Sequence, residues 1–270
     1  MSENILICPK CSCELEKEGG SLICKSRHTY DYAASGYVNL NTKLTVSGDS
    51  PEMAASRSRF LDLGYYENFA HEIVSTLDSF KPKAIIDAGC GEGYYSNMIA
   101  QKLEYTSLYG FDLSKSAVNK AAKRARASAA HASFFVCGIF DLPVKNNSID
   151  AIVSLFAPLA YEEFHRVLKP GGRLVIGAAG KEHLLGLKRA LYSDVYENNP
   201  EKVIAPDGFR ELSRRNIRYD VSIITKQAIS DLFSMTPYYW KTGEAAAARL
   251  SELERLDTAL DFDIIVFERL

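Results

Sequence analysis

No apolar stretch in these 270 residues approaches the roughly 18 needed to span a bilayer. Ile5-Leu6-Ile7 is far too short for the core of a secretion signal. A cytoplasmic location is the resulting expectation. A dominant charge is also missing. Lys and Arg number 32 against 34 Asp and Glu, leaving a net charge of −2, so any nucleic-acid surface must be local. Cysteine is sparse and unevenly placed. Of six, Cys8, Cys11, Cys13 and Cys24 crowd the N-terminus, while Cys90 and Cys137 lie apart. In a reducing compartment that clustering favours a metal over disulfides. What remains, 47% hydrophobic and 24% charged, is an ordinary globular composition. The length suits one large domain with a small appendage.

The chain is organised around residues 84–96, AIIDAGCGEGYYS. Ala84-Ile85-Ile86 reads as a buried parallel strand. It ends in Asp87 and then three glycines at alternate positions, Gly89, Gly91 and Gly93; a helix follows over 94–102. Strand, glycine turn and helix start let a ligand approach bare backbone N–H groups at the carboxyl end of a strand. The G-x-G-x-G spacing differs from the G-x-G-x-x-G of dinucleotide binders. An Asp at the strand end suits a cationic ligand group rather than a pyrophosphate. S-adenosylmethionine, with its ammonium beside a sulfonium, fits that chemistry. A ligand-free tight turn is the competing reading.

Residues 1–40 read as a unit of their own. Cys8-x2-Cys11 and Cys24-x3-His28 are two knuckles, and Gly19-Gly20 marks a hairpin turn between them. Four such donors satisfy tetrahedral Zn²⁺ as a closed Cys3His site, which implies a structural role. So small a segment buries little core, so the metal would supply its folding energy, on the order of 10 kcal/mol. Cys13 is the odd one out: it could compete as a ligand, and a free thiol is the expectation.

Residues 41–80 form a connector with a polar loop over 41–51, a helix over 52–63 stopped by Gly64, and a second helix to about 80. The remainder, 81–270, alternates strand and helix. Strands are predicted at 107–112, 133–137, 149–155, 173–178, 219–224 and 262–269. Helices are predicted after Ser114, at 161–168, 181–192 and 226–234, and around 245–256. The stretch 195–216 reads as an insertion. This alternation is a doubly wound α/β sheet. Asp112 lies about 20 residues past the glycine turn, where a carboxylate accepts ribose hydroxyls.

Asp87-x-Gly89-x-Gly91-x-Gly93, Asp112, the DLP…Asp150 strand and HRVLKPGGRL at 165–174 together resemble the class I S-adenosylmethionine-dependent methyltransferases. More narrowly, the chain resembles the RlmA/TlrB family of 23S ribosomal RNA (guanine-N1)-methyltransferases. The likeness is carried by the Cys8/Cys11/Cys24/His28 module, YDYAASGYVNL at 30–40, GDSPEMAASRSRFLDLGYY at 48–66, DAGCGEGYY at 87–95, Phe156-Ala157-Pro158 and SMTPYYW at 234–240. The resemblance implies a Rossmann-like, mostly parallel seven-stranded sheet, one structural zinc in an RNA-recognition module, a 23S ribosomal RNA partner and a homodimer. It implies that Asp87, Gly89, Gly91, Glu92 and Gly93 line the methionine end of the cofactor. Asp112 would hold the ribose, and Tyr66 and His183 would also contact the cofactor. Relatives often carry Tyr-Ala-Pro where this chain has Phe156-Ala157-Pro158. Phe can stack on a base but cannot donate a hydrogen bond.

The acceptor can be argued from the reaction. Methyltransferases acting on exocyclic amines place Asp or Asn after the fourth strand, where Ser154-Leu155-Phe156-Ala157-Pro158 has neither. No Cys-Pro pair is present there for C5-pyrimidine chemistry. A ring nitrogen such as guanine N1 fits better; its removal of a proton calls for a general base or an O6 stabiliser, and no catalytic residue is assigned. The target guanine must be unpaired or flipped, stacked on Phe156. Arg57, Arg59, the 115–126 helix and the arginines at 210–218 are candidate RNA contacts. Two other readings share these motifs: methylation of a small molecule or protein, and a non-enzymatic zinc-containing RNA-binding protein.

Overall fold

The computed structural model describes residues 5–43 and 50–270. Gly48 and Asp49, which open the GDSPEM segment, lie outside the described residues. The N-terminal module is a three-stranded antiparallel sheet of β1 (Leu15–Glu18), β2 (Ser21–Cys24) and β3 (Thr29–Asp31). Glu18 pairs with Ser21 across Gly19-Gly20, and Gly19 takes the positive φ (59°) that a two-residue hairpin turn demands. A short β4 (Val38–Asn39) follows.

Two helices come next, α1 (Pro51–Asp62) and α2 (Glu67–Asp78). Ser50 accepts the Met53 N–H to cap α1, and Gly64 (φ 82°) sits in the turn between the two. The alternating region is β5 (Ala84–Ala88), α3 (Tyr94–Lys102), β6 (Ser107–Asp112), α4 (Lys115–Ser128), β7 (Ala132–Val136), β8 (Ile149–Leu155), α5 (Tyr161–Val167) and β9 (Leu168–Ala179). It closes with α6 (Leu185–Leu191), β10 (Phe209–Ile223), α7 (Lys226–Ser234), α8 (Glu244–Ser251) and β11 (Leu256–Arg269). No helix among the described residues is long and apolar enough to cross a membrane.

The main sheet has eight strands in the order β10-β11-β9-β8-β5-β6-β7-β4, correcting the expected seven. The additional strand is β4. Val38 and Asn39 run parallel to Phe135 and Val136 at the β7 edge, a pairing too short to leave a periodic signal in sequence. β11 is antiparallel to both neighbours, and the remaining pairs are parallel. A second correction falls on 209–216. These residues are strand, not insertion. β10 is an edge strand whose polar side chains are mostly exposed on both faces, so no apolar alternation announces it.

Central strands are buried on both faces, as their unbroken apolar runs require. Ile85, Val153, Val175 and Phe262 pack with Phe60, Phe69 and Leu77 of the two connector helices on one side. Ile86, Ile152, Ile176 and Phe267 face Phe164 on the other. Leu6, Leu15, Leu22 and Leu40 join this second cluster, and Leu6 bridges to Val144. The cysteine module therefore shares its core with the sheet.

Candidate metal centre and candidate active site

Cys8, Cys11, Cys24 and His28 come together with all four donor atoms within 4.8 Å of one another. Two tight turns present them. Ser12 N–H donates to the Cys8 carbonyl and Arg27 N–H to that of Cys24, both at 2.8 Å, and Ser12 and Arg27 each take a positive φ. Cys11 and Cys24 Sγ are 3.6 Å apart, and His28 Nδ1 lies 3.4 Å from Cys8 Sγ and 3.5 Å from Cys24 Sγ. A zinc tetrahedron with Zn–S bonds of about 2.3 Å has sulfur–sulfur edges of about 3.8 Å, so the donor set fits the ion. The Cys13 backbone and the Ser26 hydroxyl pull the Cys11 thiol down to about 6, toward the thiolate that ligates. Cys13 supplies no donor to this set.

At the other site, β5 delivers Asp87 into a buried position, 2% exposed. Its carboxylate accepts the Ser96 hydroxyl at 2.5 Å. Burial, reinforced by Asp112 and Glu92, pushes it up to about 7. The glycine turn then winds through Gly89 (φ 84°), Gly91 (φ 52°) and Gly93 (φ 77°). Asp112, at the end of β6, braces the turn: one oxygen accepts Gly91 N–H at 3.0 Å and the other Ser114 N–H at 2.7 Å. Ser114 also caps α4 through Ala117 N–H.

Glu92 is almost fully buried. Its Oε2 has no hydrogen-bond partner among the described residues; the closest cation is Arg57, with Nη1 at 3.9 Å. Burial raises its carboxyl above the ordinary range. The Tyr95 hydroxyl is likewise buried without a hydrogen-bond partner. Sequence reasoning missed Tyr95, because only its place in GYY marked it. Two buried carboxyls, a half-buried third at Asp112 and an idle hydroxyl around glycine backbone fit a ligand carrying both an ammonium and a ribose.

Tyr66 and His183 meet beside this turn, Oη to Nε2 at 3.3 Å. The Asp261 backbone N–H donates to His183 Nδ1 at 3.3 Å, so the ring proton of the neutral imidazole sits on Nε2 and points to Tyr66. Burial pushes His183 down to about 3. Phe156 completes the cluster. Its ring lies 6.3 Å from that of His183 and 5.6 Å from that of Phe69, yet it is 47% exposed. Its φ of 56° is left-handed, strain of the kind that collects at functional sites. That bend sets Ala157 against Gly89, with Pro158 following.

The candidate RNA arginines are not gathered into one patch. Arg57 lies over the glycine turn, near Glu92 and Gly91. Arg59 makes two hydrogen bonds to Asp231, at 2.5 and 3.0 Å, tying α1 to α7. Arg210 pairs with Glu268, Arg214 with Glu211, Arg215 with Glu72 and Arg218 with Glu182. On α4, Arg124 pairs with Asp62.

Fold and site together define a class I methyltransferase with an added metal-binding module. A methyltransferase-domain model matches residues 79–231, and the model described as RlmA, N-terminal, matches residues 6–41. A Bacillus subtilis (strain 168) protein, YxjB, named provisionally as a 23S rRNA (guanine-N(1)-)-methyltransferase, is 30% identical over 96% of this chain and 95% of its own. The 23S rRNA (guanine(748)-N(1))-methyltransferase of Streptomyces fradiae is 29% identical over 92% of this chain and 90% of its own. Among solved structures, a geranyl diphosphate methyltransferase complexed with SAM superposes with a TM-score of 0.50 at 15% identity, covering 84% of this chain and 94% of that one; the likeness is one of fold. The chain belongs to the RlmA/TlrB family of zinc-ribbon methyltransferases.

Proposed function

We propose that this protein transfers a methyl group from S-adenosylmethionine to N1 of a guanine in a hairpin loop of 23S ribosomal RNA. The observation that carries this reading is the joining of the two sites: a Cys3His module packed into the same core as a glycine turn ringed by Asp87, Glu92 and Asp112. Relatives named for guanine-N1 methylation span both parts. S-adenosylmethionine, when bound, supplies an electrophilic methyl on a sulfonium.

Asp87, Gly89, Gly91, Glu92 and Gly93 hold the methionine end. Asp87 and Glu92 offer negative charge to an ammonium, and the bare glycine backbone allows close approach. Asp112 accepts the ribose hydroxyls while fixing the turn through Gly91. Tyr66, oriented by His183, borders the same space, and its hydroxyl hydrogen is free to point toward the ligand. Phe156, strained and half-exposed, offers a ring face to a flipped guanine; Ala157 and Pro158 set the angle of that ring. Alignment of nucleophile, methyl and sulfur then does most of the catalytic work.

Arg57 and Arg59 contribute positive charge near the acceptor end. The zinc module over residues 1–40 recognises RNA, residues 41–80 connect, and residues 81–270 carry the methyl transfer. The protein acts in the cytoplasm, where ribosomal RNA is assembled, as a homodimer. Incubation of purified protein with S-adenosylmethionine and unmodified 23S ribosomal RNA transcript tests the reading. Nucleoside mass spectrometry is expected to find 1-methylguanosine; methylation at another base or position contradicts it.

A further inference from the structure

The segment SMTPYYW at 234–240 has no part in either site described above. Past the end of α7 the chain folds back through Thr236 N–H to the Phe233 carbonyl (3.1 Å) and Tyr239 N–H to that of Thr236 (3.2 Å). Tyr238 is buried beside Tyr192, with ring centroids 6.2 Å apart, and Phe233 supports Tyr239 at 5.5 Å. These contacts anchor the turn and hold two aromatics outward. Trp240, the sole tryptophan of the chain, is 66% exposed, and Tyr239 is 42% exposed. Their rings meet edge to face at 5.2 Å. Leaving so much aromatic surface in water forgoes burial that would stabilise the fold.

The surroundings mix polar and apolar groups. Tyr239 walls a cleft of about 260 Å³ whose lining includes Ser50, Met53, Ser56, Arg59 and Ser234, with Glu52 the one carboxylate among the described lining residues. Asp231 fixes the half-exposed Arg59 guanidinium, and Lys241 follows Trp240 directly. Two residues before Arg59 and on the opposite side of α1, Arg57 reaches toward Glu92 on the glycine turn. The cleft and the turn thus flank a single helix, about 10 Å across.

We infer that Trp240 and Tyr239, with Arg59, form a stacking surface for an unpaired nucleobase of the RNA substrate, beside the nucleotide being methylated. This rests on the RNA reading given above. Single-stranded RNA is gripped by aromatic rings that stack on bases and by cations that meet the adjoining phosphates. Trp, Tyr and Arg also gather at protein–protein contacts; the place of this cleft across α1 from the glycine turn, within reach of the RNA bearing the target base, favours a nucleobase.

The sole tryptophan provides the readout. Titration of full-length protein with unmodified 23S ribosomal RNA transcript is expected to quench Trp240 emission. Trp240→Ala is expected to weaken RNA affinity, measured by filter binding, about five- to 150-fold, with melting temperature and S-adenosylmethionine affinity unchanged. Trp240→Phe, which keeps a ring, should retain most of the affinity. Unchanged RNA affinity in Trp240→Ala overturns the inference, as does a change in its oligomeric state, which would make this surface a contact between copies. Wild-type protein that leaves the transcript unmethylated while its Trp240 emission is still quenched contradicts the guanine-N1 reading and leaves the stacking surface standing.

Discussion

Ala157 stands so close to Gly89 that a β-carbon at position 89 would lie 2.6 Å from the Ala157 methyl. Through this contact the turn after β8, which carries Phe156, is seated directly on the cofactor-side glycine turn. Gly89→Ala meets both the clash and a φ of 84° that alanine resists. A stability loss of about 2 kcal/mol or more is expected from strain and overpacking together, along with weakened S-adenosylmethionine binding. Calorimetric binding and thermal melting check it. Adding Ala157→Gly should recover only the part due to the clash.

Zinc should be required for the N-terminal module and not merely tolerated. Chelation, or Cys24→Ser, is expected to release the ion and expose Leu15 and Leu22, which pack into the shared core. Metal analysis together with melting checks this. Cys13→Ser should leave zinc content at one per chain, since Cys13 lies outside the donor set.

Asp87 should make cofactor affinity depend on pH. Burial pushes its carboxyl up to about 7, and the ammonium it would face requires the ionised form. Affinity for S-adenosylmethionine should therefore fall by up to tenfold per pH unit below about 7. Binding measured from pH 5.5 to 8 is expected to show that slope in the wild type and a shallower one in Asp87→Asn, where Glu92 still faces the ammonium. The sign for folding is opposite to the usual carboxylate case. A pKa raised in the folded state means that folded protein holds the proton more tightly than unfolded chain does. Stability from this group is therefore lost as pH rises from about 4 to about 7.

His183 gives the reverse pattern. Burial lowers it to about 3, so unfolded chain binds the proton first as pH falls below about 6.5. Stability is expected to decline from there toward pH 3, by up to about 1.4 kcal/mol per unit from this residue. His183→Gln should lessen that acid sensitivity in denaturant titrations. An unchanged pH dependence would contradict the neutral, buried imidazole.

The parallel core was legible because β5, β6 and β8 are buried on both faces and must be apolar along their length. The metal ligands were legible because each knuckle holds its donors within a few residues. β10 was legible only over its last turn-ward residues. As an edge strand it tolerates Arg210, Arg214, Arg215 and Arg218, which erase the alternation. β4 is two residues long and exists only through its pairing with β7. Side-chain partners were the least legible. The fate of Arg59 depends on Asp231, 172 positions away, and the idle hydroxyl of Tyr95 becomes apparent only when its surroundings are assembled.

The central claim is that the methyl group goes to guanine N1 in 23S ribosomal RNA. Sequence-resolved mapping of methylated nucleotides in that RNA, from cells with and without this protein, tests it most directly. The account predicts one 1-methylguanosine, within a hairpin loop, present with the protein and absent without it. Identical modification maps in the two strains, or loss of a methyl group from an exocyclic amine or a pyrimidine, would contradict it.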